Sequence, residues 1–221
     1  MKKIFFKNKY FDNKQKGMTL IELMVVIAIF MIVSGIIMFD YNGFRSNVSI
    51  QNLADDIALS IRSVQNYAIG VQSSQSSQFS KGYGIHFSTA ATAIYPLAGY
   101  NKSFIVYNDL NNNNYYDYST SASVCNTTTL ANGNECINMI NITSNDYISQ
   151  ICSGTGSNSC NHTSVNINFL RPNPDATICL DSPNPCTISN GVSNVDIIIK
   201  NAQSNATKTI SVSNVGQISV K

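Results

Sequence analysis

The sequence has no tryptophan, only two histidines, and a charged fraction of 12%, about half that of an ordinary soluble domain. A highly charged disordered polymer is thereby excluded, as is a coiled coil rich in Glu and Lys. Twelve carboxylates and two histidines leave little material for a catalytic centre, so no enzyme is expected. No C-x-x-C pair and no glycine-rich phosphate loop occurs. What is present is apolar: 43% hydrophobic residues, eleven Tyr and ten Phe in a chain of 221 residues. That length is one domain plus a segment of another kind, or two small domains.

The net charge of +2 is unevenly placed. Lys2, Lys3, Lys7, Lys9, Lys14 and Lys16 stand against Asp12 alone, so this leader carries +5 and everything after it −3. Such segregation puts the two parts in different compartments. A mildly acidic body lacks the basic footprint of duplex binding, so nucleic acid is not expected as a partner.

Leu20 to Phe39 is a twenty-residue run with a single charge, Glu22. At about 1.5 Å per residue it is long enough to cross a hydrocarbon core of roughly 30 Å. Lysines precede it and Arg45 is the first base beyond, which places the N-terminus in the cytoplasm and residues 40–221 outside. A cleaved secretory signal would have a shorter apolar stretch, followed by a small-x-small site. The helix is therefore expected to stay with the mature chain. Glu22 is costly at that depth unless paired, about 2.5–3.5 kcal/mol on insertion scales. Near the start of a helix it also meets the favourable end of the dipole.

The string Lys16-Gly17-Met18-Thr19-Leu20-Ile21-Glu22, with the apolar run after it, resembles the prepilin leader site of type IV pilins and type II secretion pseudopilins. The resemblance implies cleavage after Gly17 by a membrane prepilin peptidase and methylation of the new amine at Met18, where major pilins often carry Phe. It also implies that Glu22 neutralises the amine of a neighbouring subunit in a filament. Short segments (Lys81-Gly82-Tyr83-Gly84-Ile85-His86-Phe87, Asn168-Phe-Leu-Arg-Pro and the closing Ile210-Ser-Val-Ser stretch) are similar to H-class minor pseudopilins and their T-class fimbrial relatives.

Beyond the membrane run, Ile50, Leu53, Ile57, Ile61, Val64 and Ala68 recur every three or four residues, the apolar face of a helix that should cover a sheet. Ser34-Gly35 and Asn42-Gly43 are points where it could bend, and Gly70 with the Ser/Gln run ends it. Tyr83–Phe87, Ser103–Tyr107, Val165–Leu170, Val195–Lys200, Thr207–Ser213 and Gln217–Val220 read as strands. The expected class is α+β: a long N-terminal transmembrane helix packed on an antiparallel β-sheet domain. Its parts are a leader at 1–17, a membrane helix at 18–39, an amphipathic continuation at 40–70 and an exported domain at 71–221.

All six cysteines lie in the exported part and fall into local pairs: Cys125 with Cys136, Cys152 with Cys160, Cys179 with Cys186. Outside the cytoplasm they read as disulfides, each stapling a loop of Asn, Ser, Gly or Pro. Zinc is the rival reading, and the missing C-x-x-C speaks against it. Asp109, Asn111, Asn113 and Asp117 place oxygens at positions 1, 3, 5 and 9 of a calcium-loop spacing, with the Tyr115 carbonyl at 7. Asn114 stands where such a loop has Gly, and Thr120 where it has a bidentate Glu; a polar hairpin loop is the alternative. Calcium is the one cofactor the sequence pattern suggests. His86 and His162 have no nucleophile or acid in motif spacing and read as structural.

The expected function is that of a minor pilin or pseudopilin subunit of the bacterial inner membrane, assembling with other such subunits. The alternative is a tip subunit that binds a ligand such as DNA.

Overall fold

In the computed structural model, which describes residues 17–70, 82–91, 100–117, 125, 135–154, 159–170, 172–181, 186 and 192–221, the fifty residues Leu20–Ile69 form one helix, α1. Helical backbone continues through Ser34-Gly35 and Asn42-Gly43, where open space surrounds both glycines. Ser60 and Ser63 satisfy their hydroxyls on the carbonyls of Asp56 and Leu59, one turn back (2.8 and 2.9 Å). Gly70 closes the last turn on the Asn66 carbonyl at 2.8 Å.

The chain divides into two units at Asn42/Gly43. In the first, the described large apolar side chains from Met18 to Tyr41 are all exposed, and the helix there is long and apolar enough to cross a membrane. A band of this kind demands an apolar solvent or apolar partners. In the second unit the helix is amphipathic in the expected register. Ile50, Ile57, Ile61, Val64 and Ala68 are buried, together with Ala54 and Ala58.

Two antiparallel sheets complete the second unit, giving the α+β class. The first takes β1 (Gly82–Ser88), β2 (Ser103–Asp109), β3 (Cys136–Asn141), β5 (Ser164–Phe169) and β6 (Ala176–Leu180), ordered β3-β2-β1-β5-β6. The second takes β4 (Asp146–Ser153), β7 (Asn194–Asn201), β8 (Thr207–Ser213) and β9 (Ile218–Val220), ordered β4-β7-β8-β9. Ile85, Phe87, Phe104, Ile167 and Phe169 of the first sheet, and Ile148, Ile151, Ile197, Ile199, Ile210 and Val212 of the second, form one core with the helix residues. β7 shows why: every second residue is buried, the period of a half-buried strand.

Three strands are additional to those read from the sequence. β3, β4 and β6 each contain a cysteine; the Asn residues of β3 and the Asp and Ser residues of β4 hide the alternation, and β6 is only five residues long. β1 and β2 are buried on both faces, because residues 110–117 cover the back of the first sheet. There Ile105, Tyr107, Tyr116 and Cys136 form a second, smaller cluster. Asp146 is fully buried and accepts hydrogen bonds from Ser49 (2.7 Å), Ser144 (2.6 Å) and Asn201 (2.6 Å), tying α1 to β4 and β7.

Candidate functional site

The helix start is built by a reciprocal pair. The Glu22 backbone amide donates to Thr19 Oγ1 at 3.3 Å, and the Thr19 amide donates to Glu22 Oε2 at 3.5 Å. With the Leu23 amide on the Thr19 carbonyl at 3.2 Å, Thr19 is the N-cap and Glu22 the third helical residue, a capping box. Glu22 therefore satisfies an otherwise orphaned donor at the positive end of a membrane-length helix, where a carboxylate is least costly. Gly17 and Met18 precede it in non-helical backbone with open space around Gly17, and Met18 is exposed. The lysine leader, residues 1–16, lies outside the described residues.

The Asp109–Asp117 segment folds on itself around its own oxygens. Asp109 accepts the amides of Asn113 (Oδ1, 3.1 Å) and Asn114 (Oδ2, 2.9 Å), and Asn113 Oδ1 accepts the Tyr115 amide at 2.8 Å. Asn111 Oδ1 also accepts the Asn113 amide at 3.1 Å. Asn112 and Asn114 take left-handed φ values of 59° and 61°, so Asn114 supplies the conformation for which a calcium loop uses Gly. The Nδ2 groups of Asn111 and Asn113 both donate to Asp117 Oδ2, at 2.7 and 2.6 Å. Asn168 of β5 braces the loop from the sheet, donating to Asp109 Oδ2 and Asn114 Oδ1 at 3.0 Å each. Thr120 lies outside the described residues.

A third carboxylate, unmarked by the sequence pattern, stands behind the loop. Glu135 is 2% exposed and takes the amides of Leu110 (2.7 Å) and Asp117 (2.9 Å), one on each oxygen, clasping the two ends of the loop. Burial, with the charges of Asp109 and Asp117, outweighs the pull of the two amides and raises its carboxyl to about 8. Beside it, Tyr107 is fully buried and its hydroxyl has no hydrogen-bond partner among the described residues. Burial and the same carboxylates raise that phenol well above its ordinary range. Among the described residues no three His, Cys, Asp or Glu side chains converge to hold a metal. A cation here would rest on Asp109 and Asp117 with amide and carbonyl oxygens.

Three bridges close: Cys125–Cys136, Cys152–Cys160 and Cys179–Cys186. Cys136, Cys152 and Cys179 sit in β3, β4 and β6, so each bridge anchors a connection to a strand rather than stapling a free loop. His86 is structural: buried, with Nδ1 on Asn166 Oδ1 at 2.8 Å and its ring 5.4 Å from that of Tyr116. His162 has two side-chain partners. Its Nδ1 lies 2.6 Å from Asp181 Oδ2 and its Nε2 3.0 Å from Ser153 Oγ, the connectivity of a Ser-His-Asp relay. Sequence spacing gave no warning, because the second bridge and an isolated Ile151–His162 pairing assemble the group from three segments.

A cleft of about 670 Å³ also opens between α1 and the β2–β3 edge, lined by Asn52, Leu53, Asp56, Tyr67, Phe104 and Ile140 among others. It holds one carboxylate and no histidine, which is poor equipment for catalysis.

Residues 12–38 match the family model of the prokaryotic N-terminal methylation motif. No curated protein and no solved structure matches the chain. The chain thus carries the signature of type IV pilins and pseudopilins, which points to a processed, membrane-anchored structural subunit that assembles with others of its kind.

Proposed function

We propose that the chain is a minor pilin or pseudopilin subunit, cut by prepilin peptidase between Gly17 and Met18 and methylated at Met18. The N-terminus lies in the cytoplasm, the helix waits in the inner membrane, and the disulfide-bearing domain is exported. The observation that carries this reading is the methylation motif over residues 12–38, whose part from Leu20 onward lies on an apolar helix with its described large apolar side chains exposed. In the membrane those side chains meet lipid; in a filament they meet neighbouring helices. Cleavage frees an amine at Met18, four residues from Glu22. Docking lets the Glu22 carboxylate meet the amine of an adjacent subunit, and leaving one partner of a buried pair alone typically costs 3–5 kcal/mol. Pairing therefore selects one axial register.

The test compares the wild type with Gly17→Leu and Glu22→Leu, each at matched membrane level. The wild type should begin at Met18 with one added methyl group by intact mass. Gly17→Leu should retain residues 1–17. Glu22→Leu should still be cut but be depleted from sheared filaments. A wild type that keeps its leader in a host containing the peptidase would overturn the processing; equal recovery of Glu22→Leu would overturn the register role.

We also propose that the Asp109–Asp117 loop takes calcium. The left-handed Asn114 and the ordered acceptor oxygens of Asp109, Asn111 and Asn113 support this. Calcium favours such oxygen ligands, and exported modules bind it at roughly 0.1–1 mM. Titration calorimetry should detect binding that Asp109→Ala removes; silence in the wild type would return the segment to a polar hairpin loop.

A further inference from the structure

Ser153, His162 and Asp181 come from the end of β4, the segment before β5 and the turn after β6. The Cys152–Cys160 bridge holds the residue next to Ser153 against the strand leading to His162, and the Ile151–His162 pairing sets the height of the ring. Asp181 is fixed just as firmly. Its backbone takes a φ of 46°, and its carboxylate accepts the Thr163 amide (2.6 Å), the Thr163 hydroxyl (2.8 Å) and the Ser164 amide (3.2 Å) besides His162 Nδ1. Burial alone would raise that carboxyl; the hydrogen bond from His162 and those from Thr163 and Ser164 hold it below its ordinary range. An ionised Asp181 only accepts, so when the ring is neutral its Nδ1 carries the proton and Nε2 is left as an acceptor. The Ser153 hydroxyl, 3.0 Å away, must then donate to Nε2. That is the proton arrangement of an activated serine. The group is reachable, since the His162 and Asp181 side chains keep 22% and 38% of their surface.

We propose that Ser153 is a nucleophile, with His162 as its general base and Asp181 positioning the imidazole, and that it takes acyl groups from activated carboxylic esters. Ser153 Oγ attacks the ester carbonyl carbon as its proton passes to His162 Nε2. The carbon–oxygen bond to the leaving group then breaks, and His162 returns the proton to the departing alcohol. Acyl-Ser153 remains, and water drawn through the same base releases the carboxylic acid. One feature limits the substrate class. The Ser153 amide is engaged with the Ser159 carbonyl (3.0 Å) and the Gly154 amide with the Asn194 carbonyl (2.9 Å). Neither is free to stabilise an oxyanion, a service commonly worth a factor of about 10²–10³ per donor. Amides are therefore poor substrates, and aryl esters, whose leaving groups need little assistance, are the fitting ones. This activity is independent of the filament reading, because it uses no residue of the membrane helix.

The test uses the full chain in detergent with its bridges intact, treated with a fluorophosphonate probe and mapped by peptide mass spectrometry. The phosphorus–fluorine bond breaks, a phosphorus–oxygen bond to the serine forms, and fluoride leaves with the displaced proton. Exposed Ser193 in the same molecule is the internal reference. A general base contributes about 10²–10⁴, so Ser153 should label at least about 100-fold faster than Ser193. Ser153→Ala should lose that label, and His162→Gln should bring the Ser153 rate down to that of Ser193. Asp181→Asn keeps an oxygen for the Thr163 and Ser164 amides yet should also slow labelling, which guards against a fold failure in His162→Gln. Wild-type labelling of Ser153 no faster than that of Ser193 would overturn the proposal. So would unchanged Ser153 labelling in both His162→Gln and Asp181→Asn.

Discussion

Glu135→Gln tests the electrostatics behind the Asp109–Asp117 loop. The wild-type carboxyl is pushed from 4.5 to about 8 by burial, opposed by two amide hydrogen bonds and reinforced by Asp109 and Asp117. Between these two values the folded chain holds a proton that the unfolded chain has released, so this group makes stability fall as pH rises from about 4.5 to about 8. At about 1.4 kcal/mol per unit the loss has an upper bound of about 5 kcal/mol, and relaxation of the loop brings it to a few. Gln cannot titrate, so the variant lacks this slope. It has a fixed cost instead: one of the Leu110 and Asp117 amides now faces an NH₂ group, an unsatisfied donor worth about 1–3 kcal/mol. The assay is urea unfolding of residues 43–221, which contain every core residue, at pH 5 and pH 8 with a chelator present. At pH 5 the wild type should be the more stable. By pH 8 the difference should shrink or reverse, by a few kcal/mol. A wild-type-minus-variant difference that stays constant across this window would refute the reasoning.

Two further substitutions address the packing. Ile57 is fully buried in the main core, so Ile57→Ala should cost about 2–5 kcal/mol in the same unfolding assay. A Cβ on Gly84 would fall onto the Tyr107 ring, which is itself fully buried; Gly84→Ala should therefore cost about 1–3 kcal/mol, and a neutral result would mean that the ring has room to move.

The sequence was most informative where one physical period runs unbroken. The apolar run at Leu20–Phe39 and the face at Ile50, Ile57, Ile61, Val64 and Ala68 both announce α1, because a membrane span and a helix seam each demand many residues of one kind. β7 and β8 alternate cleanly and were equally readable. β3, β4 and β6 were not. In β4, Asp146 is buried, since Ser49, Ser144 and Asn201 satisfy its carboxylate, so a charge stands where an apolar residue would mark the strand. Burial of β1 and β2 on both faces was equally hidden, because the cover is a polar loop whose amides and carboxylates saturate one another.

The same logic divides the functional residues. Gly17, Met18 and Glu22, the proposed processing and assembly residues, sit within six positions of each other, and the motif match covers them. Glu135 lies eighteen residues beyond Asp117, and Ser153, His162 and Asp181 span three strands, so only folding assembles them. Glu22 joins the two kinds of evidence. In the isolated chain its carboxylate caps the helix through Thr19, at a contact of 3.5 Å that is long for a charge-assisted bond. In the proposed filament a neighbour's amine would offer a full opposite charge in exchange for this weak internal bond. The apolar run Leu20–Phe39 thus keeps its only acid, Glu22, in the first turn of the helix, where the dipole and the cap lower the cost of inserting it.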